Sequence, residues 1–331
     1  MATMKDIARQ AETSITTVSR VLNYDKSLSI SDDLRRKIFE VAQKLHYKTP
    51  RNRSKVTVKK KLRIGIIMWY DVQEEIDDPY YMQIRRGIEQ LAMKSEIETV
   101  LLYRNQDEYR IQTLGKVDGL ICVGKFSSAQ IEQFNRLTNH LVFVDSSPEE
   151  ELYDSIVIDF HSAVREVLQL LLQEGYNKIG YLGGVEYVSK HIRLGERREL
   201  VFRDFLYQRN KLHTKYIHVG SFSVESGYQL MKDALGKKDH ADAYFCANDS
   251  IAFGAMRAIR EAGLDIPGDI ALVGFNDHPN SAYTFPPLTT VRVFTEFMGE
   301  QALLSMIEQT NGRHIALKKI IPTTLVKRDS I

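Results

Sequence analysis

The chain has 331 residues, of which 43% are hydrophobic and 27% charged; this is an ordinary composition for a globular protein with room for two or three compact units. It contains no run of about 18 apolar residues, which excludes a membrane-spanning helix, and its first residues lack the apolar stretch of a secretory signal, so we expect a cytoplasmic protein. The formal net charge is +2, but residues 1–61 carry +9 and the remainder −7, which indicates that the first segment meets a polyanion.

A solvated basic tail would have the same charge, so the sequence pattern inside residues 1–61 must decide between a DNA-binding segment and a tail.

The two cysteines, Cys122 and Cys246, each lie in an apolar run. They are expected to be buried thiols, and their spacing is not that of metal ligands. We expect neither a metal site nor a cofactor.

Residues 1–47 show the pattern of an all-α helix–turn–helix domain. Thr3-Met4-Lys5-Asp6 has the Thr-x-x-Asp form of a helix start. After a break at Glu12-Thr13, Ser14 begins a second helix as its N-cap, and a third helix begins at Ser31. Each predicted helix has one apolar face, which for the second consists of Val18, Val21 and Leu22. Two short helices with a tight break, packed on a third, predict a DNA-reading domain.

The outward face of the second helix is predicted to enter the major groove of DNA. Arg20 can form a bidentate pair with guanine, and Ile15 and the methyl group of Thr16 can contact thymine methyls. The hydroxyl side chains are better suited to phosphate oxygens, which position the protein without specifying sequence. A polar face on a small helical bundle is the alternative. The predicted DNA-contacting residues of this domain are Thr3, Ser14, Ile15, Thr16, Thr17, Ser19, Arg20 and Asn23.

These residues carry a resemblance to a known family. Asp6-Ile7-Ala8, followed by Ser14-x-x-Thr17-Val18-Ser19-Arg20-Val21-Leu22-Asn23, resembles the DNA-binding head of the lactose/galactose repressor (LacI/GalR) family. Glu12-Thr13 stands where Gly-Val is common in that family. Glu12 is therefore expected to adopt a backbone conformation that glycine takes more easily.

Residues 48–61 form a polar and strongly basic linker. The resemblance implies a hinge helix that forms on DNA and wedges a leucine into the minor groove. Here Val56 occupies the wedge position, and the β-branched run Val56-Thr57-Val58 is a poor helix former. We therefore expect a weaker wedge with more phosphate contact from Arg51 and Arg53. A disordered basic tether is the alternative.

Residues 62–331 alternate apolar strands with amphipathic helices, which predicts parallel α/β sheets. Their length favours two lobes, about 62–160 with 292–322 and about 161–291 with 323–331, in a periplasmic-binding-protein-like arrangement. Ligands of such folds bind beyond the carboxyl ends of the strands. The predicted strands are Leu62–Met68, Thr99–Tyr103, Leu120–Val123, Leu141–Val144, Lys178–Leu182, Tyr216–Val219, Ala243–Cys246 and Ile270–Gly274, and the predicted helices include Tyr80–Lys94, Ala163–Gln173, Val224–Leu235 and Ile251–Ala262.

Polar residues directly after these strands are candidates for binding a polyhydroxylated ligand. Asp145, Asn248-Asp249 and Asn276-Asp277 hold such positions, and carboxylates and amides can each make two hydrogen bonds to vicinal hydroxyls. Aromatic rings at Tyr80, Tyr81 and Phe222 could stack on the apolar face of a sugar. A strand-end aspartate can equally cap the following helix, and Tyr81 can equally belong to the core.

The family resemblance covers nearly the whole chain. Asp78-Pro79-Tyr80-Tyr81, Ala247-Asn248-Asp249, Gly274-Phe275-Asn276-Asp277 and Pro287-Leu288-Thr289-Thr290-Val291 are similar to family landmarks. Arg198 is placed by its spacing of four residues before Phe202, and Arg197 remains an alternative. Asn276 stands where family members commonly have aspartate. The resemblance implies effector contacts from Tyr80, Tyr81, Asp145, Asp159, Arg198, Phe222, Asn248 and Asn276.

The stretch from Asp77 to Glu89, with Val123-Gly124-Lys125 and Thr284-Phe285-Pro286-Pro287-Leu288, is similar to the evolved β-galactosidase repressor and galactose operon repressor subgroup. That similarity implies a galactose or galactoside effector. Family tetramers carry a C-terminal leucine heptad tail, whereas this chain closes on Lys327-Arg328-Asp329-Ser330-Ile331, so a homodimer is expected.

These observations together predict a sequence-specific repressor of sugar-utilisation genes that a small sugar releases from double-stranded operator DNA. A regulator of the same family that a sugar or co-regulator activates, with an effector other than a galactoside, is the alternative. We expect no enzyme, because a P-loop, a Gly-x-Ser-x-Gly and a His-Glu-x-x-His motif are all absent from the sequence. A sugar-processing enzyme fused to a helix–turn–helix and a transport sugar-binding protein are remote alternatives.

Overall fold

The structure is a computed structural model that describes residues 3–22, 25, 28, 30–45, 61–106, 108–189 and 192–331. The chain divides into two compact units, residues 1–60 and residues 61–331. We call the first unit the head and the second the body. The described part of each has a hydrophobic core of its own.

The described part of the head contains helices α1 (Met4–Gln10), α2 (Ile15–Leu22) and α3 (Asp32–Lys44). The predicted helix starts are confirmed: the Thr3 hydroxyl accepts from the Asp6 backbone N–H, and the Asp6 carboxylate accepts from the Thr3 N–H at 2.9 Å. The Ser14 hydroxyl likewise accepts from the Thr17 N–H at 3.0 Å. Glu12 has a φ of +54°, the left-handed conformation predicted for it at the turn. The three helices meet at the fully buried side chains of Ile7, Val18, Val21 and Ile38.

The body has two lobes, each built on a six-stranded sheet of the described residues. Lobe 1 has strand order β13-β5-β4-β3-β1-β2, and all its neighbouring strands are parallel. Its elements are β1 (Arg63–Met68), α4 (Val72–Asp77), α5 (Tyr80–Lys94), β2 (Glu98–Tyr103), β3 (Gly119–Val123), α6 (Ser128–Asn135), β4 (Leu141–Val144), β5 (Asp154–Ile158), α11 (Thr295–Thr310) and β13 (Lys318–Ile321).

Lobe 2 has strand order β14-β12-β11-β10-β6-β9, parallel except for the antiparallel pair β12 and β14. A two-stranded hairpin, β7 with β8, lies outside this sheet. The elements are α7 (Phe160–Gln173), β6 (Ile179–Gly184), β7 (Glu186–Ser189), β8 (Ile192–Leu194), α8 (Arg197–Tyr207), β9 (Ile217–Gly220), α9 (Val224–Leu235), β10 (Ala243–Cys246), α10 (Asp249–Glu261), β11 (Ala271–Asn276), β12 (Thr289–Arg292) and β14 (Thr324–Val326).

In each lobe, one pair of helices crosses in close contact at glycines. A Cβ atom on Gly87 of α5 would lie 1.9 Å from the Glu296 carbonyl oxygen of α11, and one on Gly254 of α10 would lie 1.9 Å from the Val224 carbonyl oxygen of α9. Only glycine allows backbones to approach this closely. These crossings fix the helices that begin beside the carboxyl ends of the strands.

The chain passes between the lobes at three described places: after β5, after β12 and after β13. The eight predicted strands and the four predicted helices all occur, with ends shifted by up to three residues. Strands β5, β12, β13 and β14 and the β7–β8 hairpin were not predicted. The alternation of strands and helices thus indicated the right fold class, but the prediction lacked the last two strands at one side of each six-stranded sheet.

Candidate functional site

The predicted DNA-reading face of the head lies at the start of α2. Ser14, Ile15 and Thr16 are exposed there, with 48% of the Ile15 side chain accessible, while Thr17, Ser19 and Arg20 are partly buried. Thr3 is exposed at the start of α1. An exposed apolar residue beside exposed hydroxyls is the surface that base methyls and phosphates require.

Arg20 is held by a neighbour within the head. Its Nε donates to the Asp25 carboxylate at 2.7 Å, and 41% of the Arg20 side chain is accessible. To pair with a guanine edge, the guanidinium must either keep the hydrogen bond to Asp25 through Nε and use its other N–H groups, or break that bond. The other predicted DNA contacts, Asn23, Arg51, Arg53 and Val56, lie outside the described residues.

The body contains a cleft between its lobes, at the carboxyl ends of the strands. One part of it, which we call the inner chamber, is a narrow space with a volume of about 20 Å³. Side chains from both lobes form its walls, so a ligand held there would contact both lobes at once. The lining residues are Tyr70, Asp78, Tyr80, Tyr81, Asp145, Phe160, Glu186, Arg198, Phe222 and Asn276.

In lobe 1, Asp145 forms the polar floor of the inner chamber. It follows β4 directly, has a φ of +66°, and accepts hydrogen bonds from the Tyr81 hydroxyl at 2.7 Å and the Tyr80 hydroxyl at 3.2 Å. Burial, and next the Asp145 charge, raises the pKa of both tyrosines well above the ordinary value. The two phenols therefore stay protonated and can accept a hydrogen bond from a ligand while they donate to Asp145.

In lobe 2, Arg198 is the buried cation of the inner chamber. It donates to the Glu196 carboxylate and to the Ala247 carbonyl oxygen, both at 2.6 Å. Burial alone would lower its pKa, but the Glu196 carboxylate raises the pKa above the usual value, so Arg198 stays charged. Its guanidinium carbon lies 5.4–5.5 Å from the ring centres of Phe160, Phe222 and Phe275.

Arg197 lies elsewhere, in a separate groove with His161 and Lys318. Of the two arginines left open by the sequence, Arg198 is therefore the one that lines the cleft.

The two predicted asparagines hold different positions. Asn276 lines the inner chamber at the end of β11 with a φ of 104°, and its buried Oδ1 has no hydrogen-bond partner among the described residues. Asn248 lies behind the lining, caps α10, and donates from Nδ2 to the Asp78 carboxylate and to the Phe222 carbonyl oxygen, each at 3.0 Å. It orients two lining residues rather than lining the chamber itself.

Asp159, predicted as an effector contact, does not line the cleft. It is exposed, and its carboxylate caps α7 by accepting from the Ser162 backbone N–H at 3.0 Å and from the Ser162 hydroxyl at 2.6 Å. It borders the groove that contains Arg197. Because β5 ends at Ile158 and the chain turns there into α7, it is the next residue, Phe160, that lines the inner chamber. The prediction for Asp159 is corrected on this ground.

Four of the lining residues were not predicted as effector contacts: Tyr70, Asp78, Phe160 and Glu186. Tyr70 closely follows β1, so the strand-end argument used for Asp145 could have found it. Phe160 follows a strand that was not predicted, and Glu186 lies in the unpredicted β7–β8 hairpin.

Other kinds of site receive no support from the described part of the chain. It contains no group of three or more His, Cys, Asp or Glu side chains placed to hold a metal ion. Burial raises the pKa of the Cys122 and Cys246 thiols. No helix among the described residues is long and apolar enough to cross a membrane.

Comparison with known proteins places these features in a family. Residues 3–50 match the family model of bacterial regulatory proteins of the lacI family, and residues 168–331 match that of a periplasmic binding protein-like domain. The HTH-type transcriptional repressor MelR of Bacillus subtilis (strain 168) is 34% identical over 100% of this chain and 97% of its own length. The HTH-type transcriptional regulator GalR of Streptococcus thermophilus is 38% identical over 92% of this chain and 91% of its own.

Among solved structures, the lac repressor dimer bound to operator and the anti-inducer ONPF is similar, with a TM-score of 0.71 and 26% identity over 99% of this chain and 98% of that one. The chain therefore belongs to the LacI family of bacterial regulatory proteins, with a helix–turn–helix DNA-binding head and a periplasmic-binding-protein-like body.

Proposed function

We propose that this chain is a homodimeric repressor of galactose or galactoside utilisation genes, which a galactose-type sugar bound in the cleft releases from a near-palindromic operator. The single observation that carries the proposal is the inner chamber, in which Asp145 and Tyr81 of lobe 1 face Arg198 and Phe222 of lobe 2. The lac repressor structure, with operator and anti-inducer bound, supports it by similarity.

The head supplies the operator contacts in this proposal. The exposed start of α2 would enter the major groove, with Ile15 and Thr16 near thymine methyls and Arg20 paired with guanine. Hydroxyls of Thr3, Ser14, Thr17 and Ser19 would contact phosphates and fix the orientation. Two heads in a dimer would read two related half-sites.

The cleft suits a neutral polyhydroxylated ligand. Asp145 offers acceptor oxygens, Arg198 offers donors, and Asn276 offers both from one amide. The rings of Tyr70, Phe160 and Phe222 provide apolar faces on which the C–H side of a sugar ring can stack. The specific choice of a galactose-type sugar rests on similarity to the galactose-repressor subgroup and to the relatives named GalR and MelR.

Coupling between sugar and DNA follows from the position of the ligand. A sugar that contacts Asp145 and Arg198 together binds more tightly when the lobes are close, so it shifts the body toward that arrangement. If the operator-bound repressor prefers a different arrangement of the lobes, sugar binding lowers the affinity for the operator. Operator binding then lowers the affinity for the sugar by the same factor.

The proposal is tested by fluorescence anisotropy with a labelled palindromic operator and the full-length protein. Galactose, lactose or allolactose, but not glucose or ribose, should release the bound operator. Tight operator binding that none of these sugars changes would overturn the galactoside effector. Operator binding that a sugar strengthens would instead support activation by the ligand.

A further inference from the structure

Asp25 lies just beyond the end of α2 and contacts Arg20 at two points. Its carboxylate accepts from Arg20 Nε at 2.7 Å, and its backbone N–H donates to the Arg20 carbonyl oxygen at 3.0 Å. The backbone bond spans five residues, one more than a bond within an α-helix, which is a pattern that closes many helix C-termini. The carboxylate is therefore placed beside the guanidinium by the backbone as well as by the ion pair.

The ion pair fixes a direction for Arg20 more than it stabilises the head. The Arg20 and Asp25 side chains are 41% and 33% exposed, and ion pairs of this exposure contribute little to the free energy of unfolding. An exposed arginine without such a contact samples many rotamers. The contact with Asp25 restricts that sampling before DNA is bound, so less side-chain entropy is lost when Arg20 meets a base.

The atom that Asp25 contacts decides which edge of the guanidinium faces a base. A guanidinium has an edge that combines Nε with one Nη group, and a second edge that combines Nη1 with Nη2. Asp25 accepts from Nε, so a bidentate pair with guanine O6 and N7 that keeps this bond uses Nη1 and Nη2. Arg20 can therefore read a guanine without breaking its bond to Asp25.

The negative charge of Asp25 also acts against the competing contact of Arg20 with phosphate. Residues 1–61 carry a net charge of +9, so the head is attracted to the phosphate backbone of any DNA sequence. A carboxylate 2.7 Å from Arg20 Nε repels phosphate oxygens that approach the same guanidinium. Repulsion of this kind raises specificity, because it weakens the complex with unrelated DNA.

We propose that Asp25 is a positioning residue for sequence recognition, which directs Arg20 toward guanine in the major groove and holds it away from DNA phosphate. The proposal rests on the contact between Arg20 and guanine in the proposed function. It adds that the ratio of the affinities for operator and for unrelated DNA depends on Asp25, which acts through Arg20.

Selection from a pool of randomised duplexes tests the proposal with the full-length protein. The duplexes that the wild type binds define its preferred site. The guanine that Arg20 reads is the one whose preference is lost in Arg20→Ala. Competition anisotropy then measures the affinity for this site, for the site with that guanine pair replaced, and for unrelated DNA, over a series of salt concentrations.

Two substitutions at Asp25 separate its position from its charge. Asp25→Ala removes the acceptor and the charge, so preference for the guanine pair should fall about tenfold. For unrelated DNA, the slope of log affinity against log salt concentration should steepen by about one, because Arg20 gains a phosphate contact. Asp25→Asn keeps an oxygen that can accept from Nε. It should steepen the salt dependence equally and lower base preference only about threefold.

Two controls address general effects of charge and of folding. Asp33→Ala removes the same charge from α3, where the Asp33 side chain is 93% exposed and lies 3.9 Å from Arg36. It should change neither base preference nor the salt slope. In the Arg20→Ala background, Asp25→Ala should have no further effect on either quantity, whereas damage to the fold would lower binding in both backgrounds.

The role of Asp25 and the contact of Arg20 with guanine can fail separately in this experiment. Wild-type base preference in Asp25→Ala, or an equal loss with and without Arg20, would overturn the role of Asp25 and leave the contact of Arg20 with guanine standing. Unchanged base preference in Arg20→Ala would overturn both.

Discussion

Lys125 and Glu186 form an ion pair across the cleft, between the segment that follows β3 in lobe 1 and strand β7 in lobe 2. The pair is largely buried, with 17% and 6% of the two side chains accessible, and Lys125 Nζ also lies 3.8 Å from the Asp145 carboxylate. Burial raises the pKa of Glu186, and the nearby Lys125 acts in the opposite direction. Removal of either charge should therefore weaken the contact between the two lobes.

Breaking this pair should weaken sugar binding. Lys125→Met leaves Glu186 buried without its cation, which favours separation of the lobes, so we expect at least tenfold weaker effector binding in calorimetry. Glu186→Gln should have a smaller effect because the amide carries no charge. In the double variant the two losses should be non-additive by about 1 kcal/mol or more. Additive losses would show that the ion pair does not couple the lobes.

Arg198→Ala should abolish the sugar response and leave operator binding intact. It removes the cation that lines the inner chamber, whereas the head residues are unaffected. Arg197→Ala is the matched control, since Arg197 is the neighbouring arginine in a separate groove. Operator anisotropy with and without sugar measures both variants. A normal sugar response of Arg198→Ala would refute the assignment of the inner chamber as the effector site.

The stability of the body should fall as pH rises toward neutrality, through Asp249. Burial raises the pKa of this carboxyl to about 7, although it accepts hydrogen bonds from Thr290, Ser281 and the His278 backbone. The folded state holds the proton more tightly than the unfolded chain, so this contribution to stability is complete below about pH 4 and is lost as pH rises through about 7.

Asp249→Asn should remove this pH dependence. Relative to the wild type, the variant should gain about 2 kcal/mol between about pH 5.5 and about pH 8, measured by denaturant unfolding at each pH. Asp269→Asn supplies a control on the exposed surface. Parallel pH curves for the wild type and Asp249→Asn would contradict the raised pKa.

Arg20→Ala should lower sequence discrimination with little cost to the fold. Its pair with Asp25 is partly exposed, and such pairs contribute at most about 1 kcal/mol to stability. Loss of a bidentate contact to guanine should reduce discrimination at one base pair of each half-site by about 1–3 kcal/mol. Arg36→Ala is the control, because Arg36 is 70% exposed on α3 and paired only loosely with Asp33, at 3.9 Å. Competition binding with operator variants measures both; equal losses would argue against base contact by Arg20.

Gly87→Ala should destabilise the body, because the added Cβ would collide with the Glu296 carbonyl oxygen where α5 crosses α11. Overpacking of this kind costs about 1–3 kcal/mol. Gly236→Ala is the matched control, since its Cβ would have no atom closer than 3.5 Å and its φ of −65° suits alanine. Thermal unfolding of both variants would separate crowding at the crossing from a general effect of replacing glycine.

The features that could be predicted from the sequence are those that depend on residues close together in the chain. Thr3 and Ser14 were identified because a cap needs only residues within one helical turn. Asp145 and Asn276 were identified because each directly follows or ends a strand with a clear apolar pattern. Both have positive φ values, at points where the chain turns from the sheet into the cleft.

Features that depend on distant partners were not predicted. Strand β5 begins with Asp154, a buried charged residue that pairs with Arg313, 159 residues away in the chain. Without β5 in the prediction, Phe160 could not be identified as a residue that follows a strand and lines the cleft. The β7–β8 hairpin is also short. It lines the cleft and is held there by contacts with Trp69 and Lys125 of the other lobe, which are distant in the sequence.

The order of the strands has a consequence for synthesis of the chain. Strand β13, residues Lys318–Ile321, forms the edge of the lobe 1 sheet beside β5, which was translated some 160 residues earlier. Until β13 leaves the ribosome, β5 has one open hydrogen-bonding edge, and Asp154 lacks the arginine that neutralises it. Lobe 1 therefore cannot finish folding before β13 has been made, and the open edge of β5 is exposed to strand-edge association until then.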